Sequence, residues 1–262
     1  MEAKAPKKRG PKLMPERTEA PVVDRSVAMS NALARGSHSL NLAEKRILAL
    51  ALAKTDSIPA ADLVRASREG WSVRLLAAEY AEAYEVDANT AYEQLQASAQ
   101  SLRGRGWKAQ MGYGRRNSPI IREGNWVSMI EYCAGEGRVD VAFTPHVAPH
   151  LLALRSQFTT YKLKQASALR SVYAWRLFEC LKSWETKGIW SPSIDEFHAA
   201  MDAPESCRAN FKDLRRRIID PAVTELHTKD NMLVEWEPKK AGRKVIGLVF
   251  KFRQDPQASL AL

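Results

Sequence analysis

The sequence predicts an α+β protein composed of two tandem winged-helix domains. Two features of the second half predict this fold: a basic amphipathic helix at Cys207–His227, and a β-hairpin with a basic tip directly after it. The first half repeats this order of helices and strands. A length of 262 residues also suits two medium-sized domains better than one.

The composition is that of a globular protein with a polyanionic partner. The chain is 45% hydrophobic and 27% charged, and its net charge is +10. The cysteines Cys133, Cys180 and Cys207 are odd in number and far apart, which excludes a disulfide framework or zinc spacing and predicts a reducing cytoplasm. No apolar run is long enough for a membrane span, and the N-terminus does not have the pattern of a signal peptide.

Residues 1–24 have no apolar period and are predicted to be a disordered basic tail. Within this tail, Lys8–Lys12 faintly resembles an AT-hook but lacks the full hook core. Asn41 and Glu44 then form a capping-box pair that begins a helix. This helix is predicted to be buried because apolar residues surround most of its circumference. These residues are Ile47, Leu48, Leu50, Ala51 and Leu52.

A helix-turn-helix follows, with helices predicted at Ser72–Tyr84 and Ala88–Leu102. The second of these contains no Lys or Arg, and the cations come after it. We predict weaker DNA contacts at Arg103, Arg105, Lys108, Arg115 and Arg116. Strands are predicted at Trp107–Gln110, Trp126–Cys133 and Arg138–Phe143. Further helices are predicted at His150–Leu154, Ser167–Trp184 and 193–201.

Within the segment Cys207–His227, a helix with one apolar face is predicted to begin at Phe211. Asn210 is the expected N-cap, and Pro221 is expected to bend the helix after Asp220. Apolar residues recur every three or four positions. They are Phe211, Leu214, Ile218, Ala222 and Leu226.

The opposite face of this helix is basic. At about 100° per residue, Lys212 and Arg216 fall on the outward side. Arg217 flanks that side, and Arg215 borders the apolar stripe. An arginine fork matches guanine O6 and N7 in the DNA major groove. A solvated basic face would explain the charges equally well, and the hairpin that follows favours DNA. The predicted base-reading residues are Arg208, Lys212, Arg215, Arg216 and Arg217.

The hairpin is predicted from two β-rich runs, Leu233–Trp236 and Val245–Phe252, separated by a turn that contains Pro and Gly. Cations at a hairpin tip are suited to grip DNA phosphates. The predicted phosphate-binding residues of this wing are Lys239, Lys240, Arg243 and Lys244.

Several blocks together resemble the Rep-3 family of plasmid replication initiators, the iteron-binding Rep proteins. They occur in the family's order within roughly residues 29–253. The blocks are NALARGSHSLNLAEKRILALA, FTPHVAPHLLAL, FTTYKL, LRSVYAWRLFECL and FKDLRRRIIDPAVTEL.

The resemblance implies two tandem winged helices, monomers that bind directly repeated origin sites in double-stranded DNA, and a homodimeric form in autoregulation. It also implies contacts with the host's initiator ATPase and replicative helicase, in the bacterial cytoplasm. We assign residues 25–150 to the dimerising domain with DNA-backbone contacts and 151–255 to the sequence-specific domain. Residues 256–262 form a second tail. The cation-poor second helix of the first half departs from the family pattern, so base reading is not carried over to it.

Two other functions fit parts of the sequence. A winged-helix transcriptional repressor would use the same DNA-binding residues. A rolling-circle nickase would use Tyr161, which begins a Y-x-x-K pattern, but it also needs H-x-H, which none of the five histidines forms. His146 and His150 have helical metal-ligand spacing, yet they follow prolines and lack a third ligand. With no nucleotide-binding or serine-hydrolase motif, we predict a non-enzymatic protein without cofactor or metal.

Overall fold

Both halves of the chain have the element order of a winged helix, in agreement with the predicted α+β fold. The computed structural model describes residues 20–55, 60–152 and 158–255. The predicted tail falls mostly outside these residues, as do Lys8–Lys12 and 256–262. At its end, Val22–Asp24 form a 3-10 turn in which Val22 is buried.

The first half carries a three-stranded sheet and an additional β-hairpin. Its elements are β1 (Ser26–Ser30), α1 (Asn31–Ala34), α2 (Leu42–Lys54), α3 (Ala60–Glu69), β2 (Trp71–Leu76), α4 (Ala77–Tyr84), α5 (Ala88–Leu102), β3 (Gly106–Tyr113), β4 (Pro119–Asn125), β5 (Val127–Cys133), β6 (Arg138–Phe143) and α6 (Ala148–Leu151). The sheet has the order β2-β6-β5, and β3 pairs with β4 as a separate hairpin.

The second half is built around a sheet of order β8-β10-β9. Its elements are β7 (Phe158–Lys162), α7 (Leu163–Ser167), α8 (Val172–Lys182), β8 (Ile189–Trp190), α9 (Ile194–Ala200), α10 (Glu205–Ala209), α11 (Phe211–Leu214), a π-helical turn (Arg215–Ile219), α12 (Asp220–Asp230), β9 (Met232–Ala241) and β10 (Lys244–Gln254). Strand β7 pairs antiparallel with β1, which joins the two halves.

The capping box and burial predicted for α2 are confirmed. The Asn41 backbone N–H donates to Glu44 Oε2 at 2.8 Å, and the Glu44 N–H donates to Asn41 Oδ1 at 2.9 Å. All the apolar residues predicted to be buried on this helix are buried. Helix α2 is therefore a central core helix.

The helix predicted at Ser72–Tyr84 is wrong in its first half. Residues Trp71–Leu76 form β2, which pairs along its whole length with β6, and Arg74 binds Asp140 on that strand through two 2.9 Å hydrogen bonds. Pairing with a distant strand outweighs the weak local helix preference of this segment. The helix begins only at Ala77.

The helix predicted at Ser167–Trp184 is α8, which begins later, at Val172, and ends at Lys182, and the short helix α7 before it was not predicted. Between them the backbone N–H groups of Arg170 and Ser171 donate to Glu225 Oε1 of α12, and the Ser171 hydroxyl caps α8. These acceptors replace intrahelical bonds at the break. The helix predicted at His150–Leu154 is α6, which ends at Leu151, and residues 153 and 154 lie outside the described ranges.

Helix α8 carries a buried polar network that connects the two halves. Lys45 Nζ of α2 lies 2.5 Å from Glu179 Oε2, and the Tyr161 hydroxyl donates to Glu179 Oε1 at 2.8 Å. Arg176 donates to the Gly36 carbonyl at 2.5 Å and forms an ion pair of 3.2 Å with Asp202. Burial lowers the pKa of Lys45, and the Glu179 carboxylate opposes that effect. Buried charges of this kind are tolerated only when they are paired.

Asp230 gives stability a pH dependence. Its side chain is 7% exposed at the C-terminal end of α12, and burial raises its pKa from 3.8 to about 7. The folded state thus favours the protonated carboxyl. The contribution of Asp230 to the free energy of unfolding is therefore complete below about pH 4 and is lost as pH rises through about 7.

The unchanged protein should lose about 1–3 kcal/mol of its free energy of unfolding between those pH values, allowing for solvent screening, and Asp230→Asn should not show this loss. Urea unfolding of both proteins at pH 5 and pH 8 measures the difference. The same pH dependence of stability in Asp230→Asn as in the unchanged protein would contradict the prediction.

Candidate nucleic-acid interface

A long helical segment, Phe211–Asp230, forms the centre of the candidate interface. It begins where Asn210 Oδ1 accepts the Lys212 backbone N–H at 2.9 Å, which confirms the predicted N-cap. The predicted apolar face is confirmed, since Leu214, Ile218, Ala222 and Leu226 are buried and Phe211 is partly buried. The helix is thus fixed to the core along one side, and its other side faces solvent.

A π-helical turn at Arg215–Ile219 interrupts the regular helix. In regular α-geometry Ile219 would lie at about 80°, between Leu226 at about 60° and Lys212 at about 100°, and both Ile219 and Leu226 are fully buried. Pro221 lacks the N–H that would pair with the carbonyl four residues earlier, and the wider turn accommodates that loss. This irregularity precedes Asp220, whereas the sequence predicted a bend after that residue.

The predicted base-reading cations all have exposed side chains. Arg216 is 72% exposed and pairs with Asp213 at 3.1 Å, and Arg215 is 61% exposed and pairs with Asp220 at 3.0 Å. Surface pairs of this kind contribute little to stability. They hold the guanidinium groups in place and can be exchanged for DNA at low cost.

Arg208 is a residue of α10, and Arg217 is hydrogen-bonded to that helix. Arg208 Nε donates to the Ala203 carbonyl at 2.6 Å, and Arg217 Nη1 donates to the Ser206 hydroxyl at 3.3 Å. The remaining exposed cation of the set, Lys212, lies in the first turn of the helix.

The wing is the hairpin of β9 and β10, which turns at Gly242 with φ of +60°. Its cations Lys239, Lys240, Arg243 and Lys244 are exposed. Lys239 and Lys240 lie on β9, not in the turn, because the paired strands extend further than the β-rich runs predicted. Trp236 of β9 connects wing and helix, since its ring lies 5.7 Å from the Arg215 guanidinium and 6.4 Å from the Phe211 ring.

We expect Arg216→Ala to weaken binding to a cognate DNA site by about 1–3 kcal/mol, with little change on scrambled DNA. The reason is that base edges, which an outward arginine fork is expected to contact, differ between the two DNAs. Fluorescence anisotropy on both duplexes measures the effect. An equal loss on both would show that Arg216 holds phosphate and reads no base.

Lys240→Ala should instead weaken binding to cognate and scrambled DNA alike. A lysine on the wing that neutralises one phosphate contributes about one unit to the slope of log affinity against log salt concentration. Binding isotherms at several salt concentrations measure that slope. A slope equal to that of the unchanged protein would place Lys240 away from the DNA.

The cations predicted in the first half lie at the end of α5 and along the β3–β4 hairpin. Arg105 Nε donates to the buried carboxylate of Glu44 at 2.8 Å, and Lys108 pairs with Glu123 at 2.6 Å. Arg115 and Arg116 are exposed in the hairpin turn, and Arg103 is exposed after α5. Arg122 adds an exposed cation on β4, a strand that the sequence analysis missed although Ile120 and Ile121 indicate it.

Tyr161 and His150, which were considered for catalysis and metal binding, are buried and hydrogen-bonded within the core. The Tyr161 hydroxyl is buried, donates to Glu179 and accepts the Trp175 indole N–H at 3.2 Å, and burial raises its pKa well above 10. A nucleophile must reach a scissile phosphate, which this enclosed group does not. His150 is buried with Nδ1 3.2 Å from the Ser30 hydroxyl, whereas His146 is exposed.

Within the described ranges, no group of three His, Cys, Asp or Glu side chains is placed to hold a metal ion. Nor does any helix in that part of the chain have the length and apolar character needed to cross a membrane.

Two family models of known proteins together match most of the chain. A family model described as "Initiator Replication protein, WH1" matches residues 26–182, and one described as "Initiator Rep protein, WH2" matches residues 193–252. The PI protein of Escherichia coli is 26% identical over 245 residues, covering 82% of this chain and 78% of the relative. A probable replication protein rep of Bifidobacterium longum (strain NCC 2705) is 29% identical over 117 residues, covering 45% and 39%.

A solved structure has the same fold. The crystal structure of Pi initiator protein in complex with iteron DNA superposes with a TM-score of 0.67 at 21% identity, covering 89% of this chain and 98% of that one.

Proposed function

This chain belongs to the Rep3 family of initiator replication proteins, as its sequence blocks predicted, and from that membership we propose that it initiates plasmid replication by binding directly repeated origin sites, the iterons. The observation that carries the proposal is the pairing of a core-anchored helix, whose outward cations include Lys212 and Arg216, with a basic wing fixed to it through Trp236. Such a helix suits the major groove, and such a wing suits the phosphates beside it.

The two halves have different tasks in this proposal. Residues 151–255 read the repeat as a monomer through Arg208, Lys212, Arg215, Arg216 and Arg217, and grip phosphate through Lys239, Lys240, Arg243 and Lys244. Residues 25–150 contribute backbone contacts and form the homodimer that represses the protein's own synthesis. In the bacterial cytoplasm the DNA-bound protein opens the origin and recruits the host's initiator ATPase and helicase. The resemblance to the family supports these assignments.

The experiment that tests the proposal separates an initiator from a winged-helix repressor. The DNA beside the coding sequence is searched for tandem repeats next to an AT-rich stretch, and that fragment is joined to a selectable marker without another origin. When the protein is supplied from the chromosome, an initiator should maintain the circle as a plasmid. Failure to establish it, with the same DNA bound normally in vitro, would favour the repressor.

A further inference from the structure

The wing exposes an isoleucine among its cations. The register of the β9–β10 pairing shifts between Val245, which faces Lys240, and Gly247, which faces Lys239, so Ile246 is an extra residue on β10. Its side chain is 47% exposed. An extra residue of this kind forms a β-bulge, which redirects a side chain away from its regular position.

The backbone that follows Ile246 is held in place by the segment Pro192–Ser193. The Leu248 N–H donates to the Pro192 carbonyl at 3.0 Å, and Gly247 forms a bridge with Ser193 at the start of α9. A Cβ on residue 247 would lie 2.7 Å from the Pro192 oxygen, so glycine permits this close approach. Ile246 is therefore presented by a fixed strand next to the phosphate-binding lysines.

A single exposed isoleucine is ordinary on a protein surface. Ile246 differs in that it lies on the wing, beside cations suited to hold DNA phosphates. Each gripped phosphate is flanked by deoxyribose rings, which are largely apolar. Proteins that bind DNA through cations also use apolar side chains, isoleucine among them, which minor-groove binders insert between base steps.

We propose that Ile246 is a DNA-contact residue of the wing, packing against deoxyribose of the strand whose phosphates the wing cations hold. The inference rests on the proposed function, in that it takes the wing to bind DNA. It adds an apolar contact to a surface assigned only to charge. Because no counterion is released by such a contact, its contribution to affinity is independent of salt.

The test compares Ile246→Ala with Ile189→Ala, a matched control on β8 of the same sheet whose side chain is 46% exposed. Affinity is measured on a random duplex and on a tandem-repeat duplex at several salt concentrations. Ile246→Ala should bind both about three- to tenfold more weakly with an unchanged salt slope, whereas Ile189→Ala should bind normally. Ile246→Val should restore affinity to within about twofold. Thermal unfolding verifies that each variant is folded.

An Ile246→Ala affinity equal to that of Ile189→Ala would overturn the inference, as would a change in salt slope as large as that of Lys240→Ala. The proposed function fails by a different result, namely equal affinity of the unchanged protein for tandem-repeat and random duplexes. The random duplex thus tests the apolar contact independently of iteron recognition.

Discussion

Lys45→Ala should lower the free energy of unfolding by about 3–5 kcal/mol. The lysine side chain is 1% exposed and Glu179 is 0% exposed, so removing the cation leaves a carboxylate buried and unpaired. The Tyr161 hydroxyl still donates to the Glu179 carboxylate, but it is neutral and supplies no counter-charge. Urea unfolding at neutral pH measures the change.

Three further variants determine whether the charge pair is responsible. Lys108→Ala removes an ion pair whose side chains are 60% and 62% exposed, and should cost less than about 1 kcal/mol. The double variant Lys45→Met with Glu179→Gln removes both charges and retains an acceptor for Tyr161. It should be more stable than Lys45→Met alone. If the double variant were the less stable of the two, packing and not charge would explain the loss.

Arg176→Ala should cost a similar amount, about 3–5 kcal/mol, because its guanidinium serves both halves at once. It donates to the carbonyls of Gly36 and Ala200 and pairs with Asp202. Asp202 also accepts the Ser37 hydroxyl and the backbone N–H groups of His38 and Ser39 at 3.0 and 2.9 Å. Truncating the arginine removes the hydrogen-bond donor of the buried Gly36 and Ala200 carbonyls and weakens the contact between the two halves.

Arg170→Ala is the matched control, because Arg170 also connects the halves, through the Tyr84 carbonyl at 3.3 Å, but is 50% exposed. We expect it to cost under about 1 kcal/mol. Calorimetry adds a second observable, since a weakened connection between the halves should broaden or split the unfolding transition. A single sharp transition at the original temperature in Arg176→Ala would contradict the role given to the network.

The parts of the fold predicted from sequence are those fixed by local patterns. The capping box at Asn41 and Glu44, the N-cap at Asn210 and the apolar stripe from Phe211 to Leu226 each depend on residues within a few positions of one another. Local patterns also predicted the wing, although not its full length. Turn residues and β-rich runs define a hairpin without reference to the rest of the chain.

The parts that were missed depend on distant residues. Strand β1 forms because it pairs with β7, more than a hundred residues away, and β2 forms because β6 receives it. The π-helical turn at Arg215–Ile219 was not predicted, because a calculation based on regular α-geometry excludes it at the outset. The pairing of Lys45 with Glu179 has no local signal either, because each lies in an otherwise helical pattern.

For the candidate site, sequence supplied the positions of the cations, and the structure supplied their restraints. Periodicity predicted that Arg216 faces outward, which its exposure agrees with, and that Arg215 borders the apolar face, where its guanidinium lies over Trp236. The exposure of Ile246 required knowledge of the strand register. The base-reading and phosphate-binding roles remain predictions that DNA binding must test.

Hydroxyl-radical footprinting of the unchanged protein on the DNA beside its coding sequence tests the central claim most directly. We expect several protected segments of equal spacing and the same orientation, with protection reduced at all of them in Arg216→Ala. A single inverted pair of protected segments, or repeats protected equally well by Arg216→Ala, would contradict it.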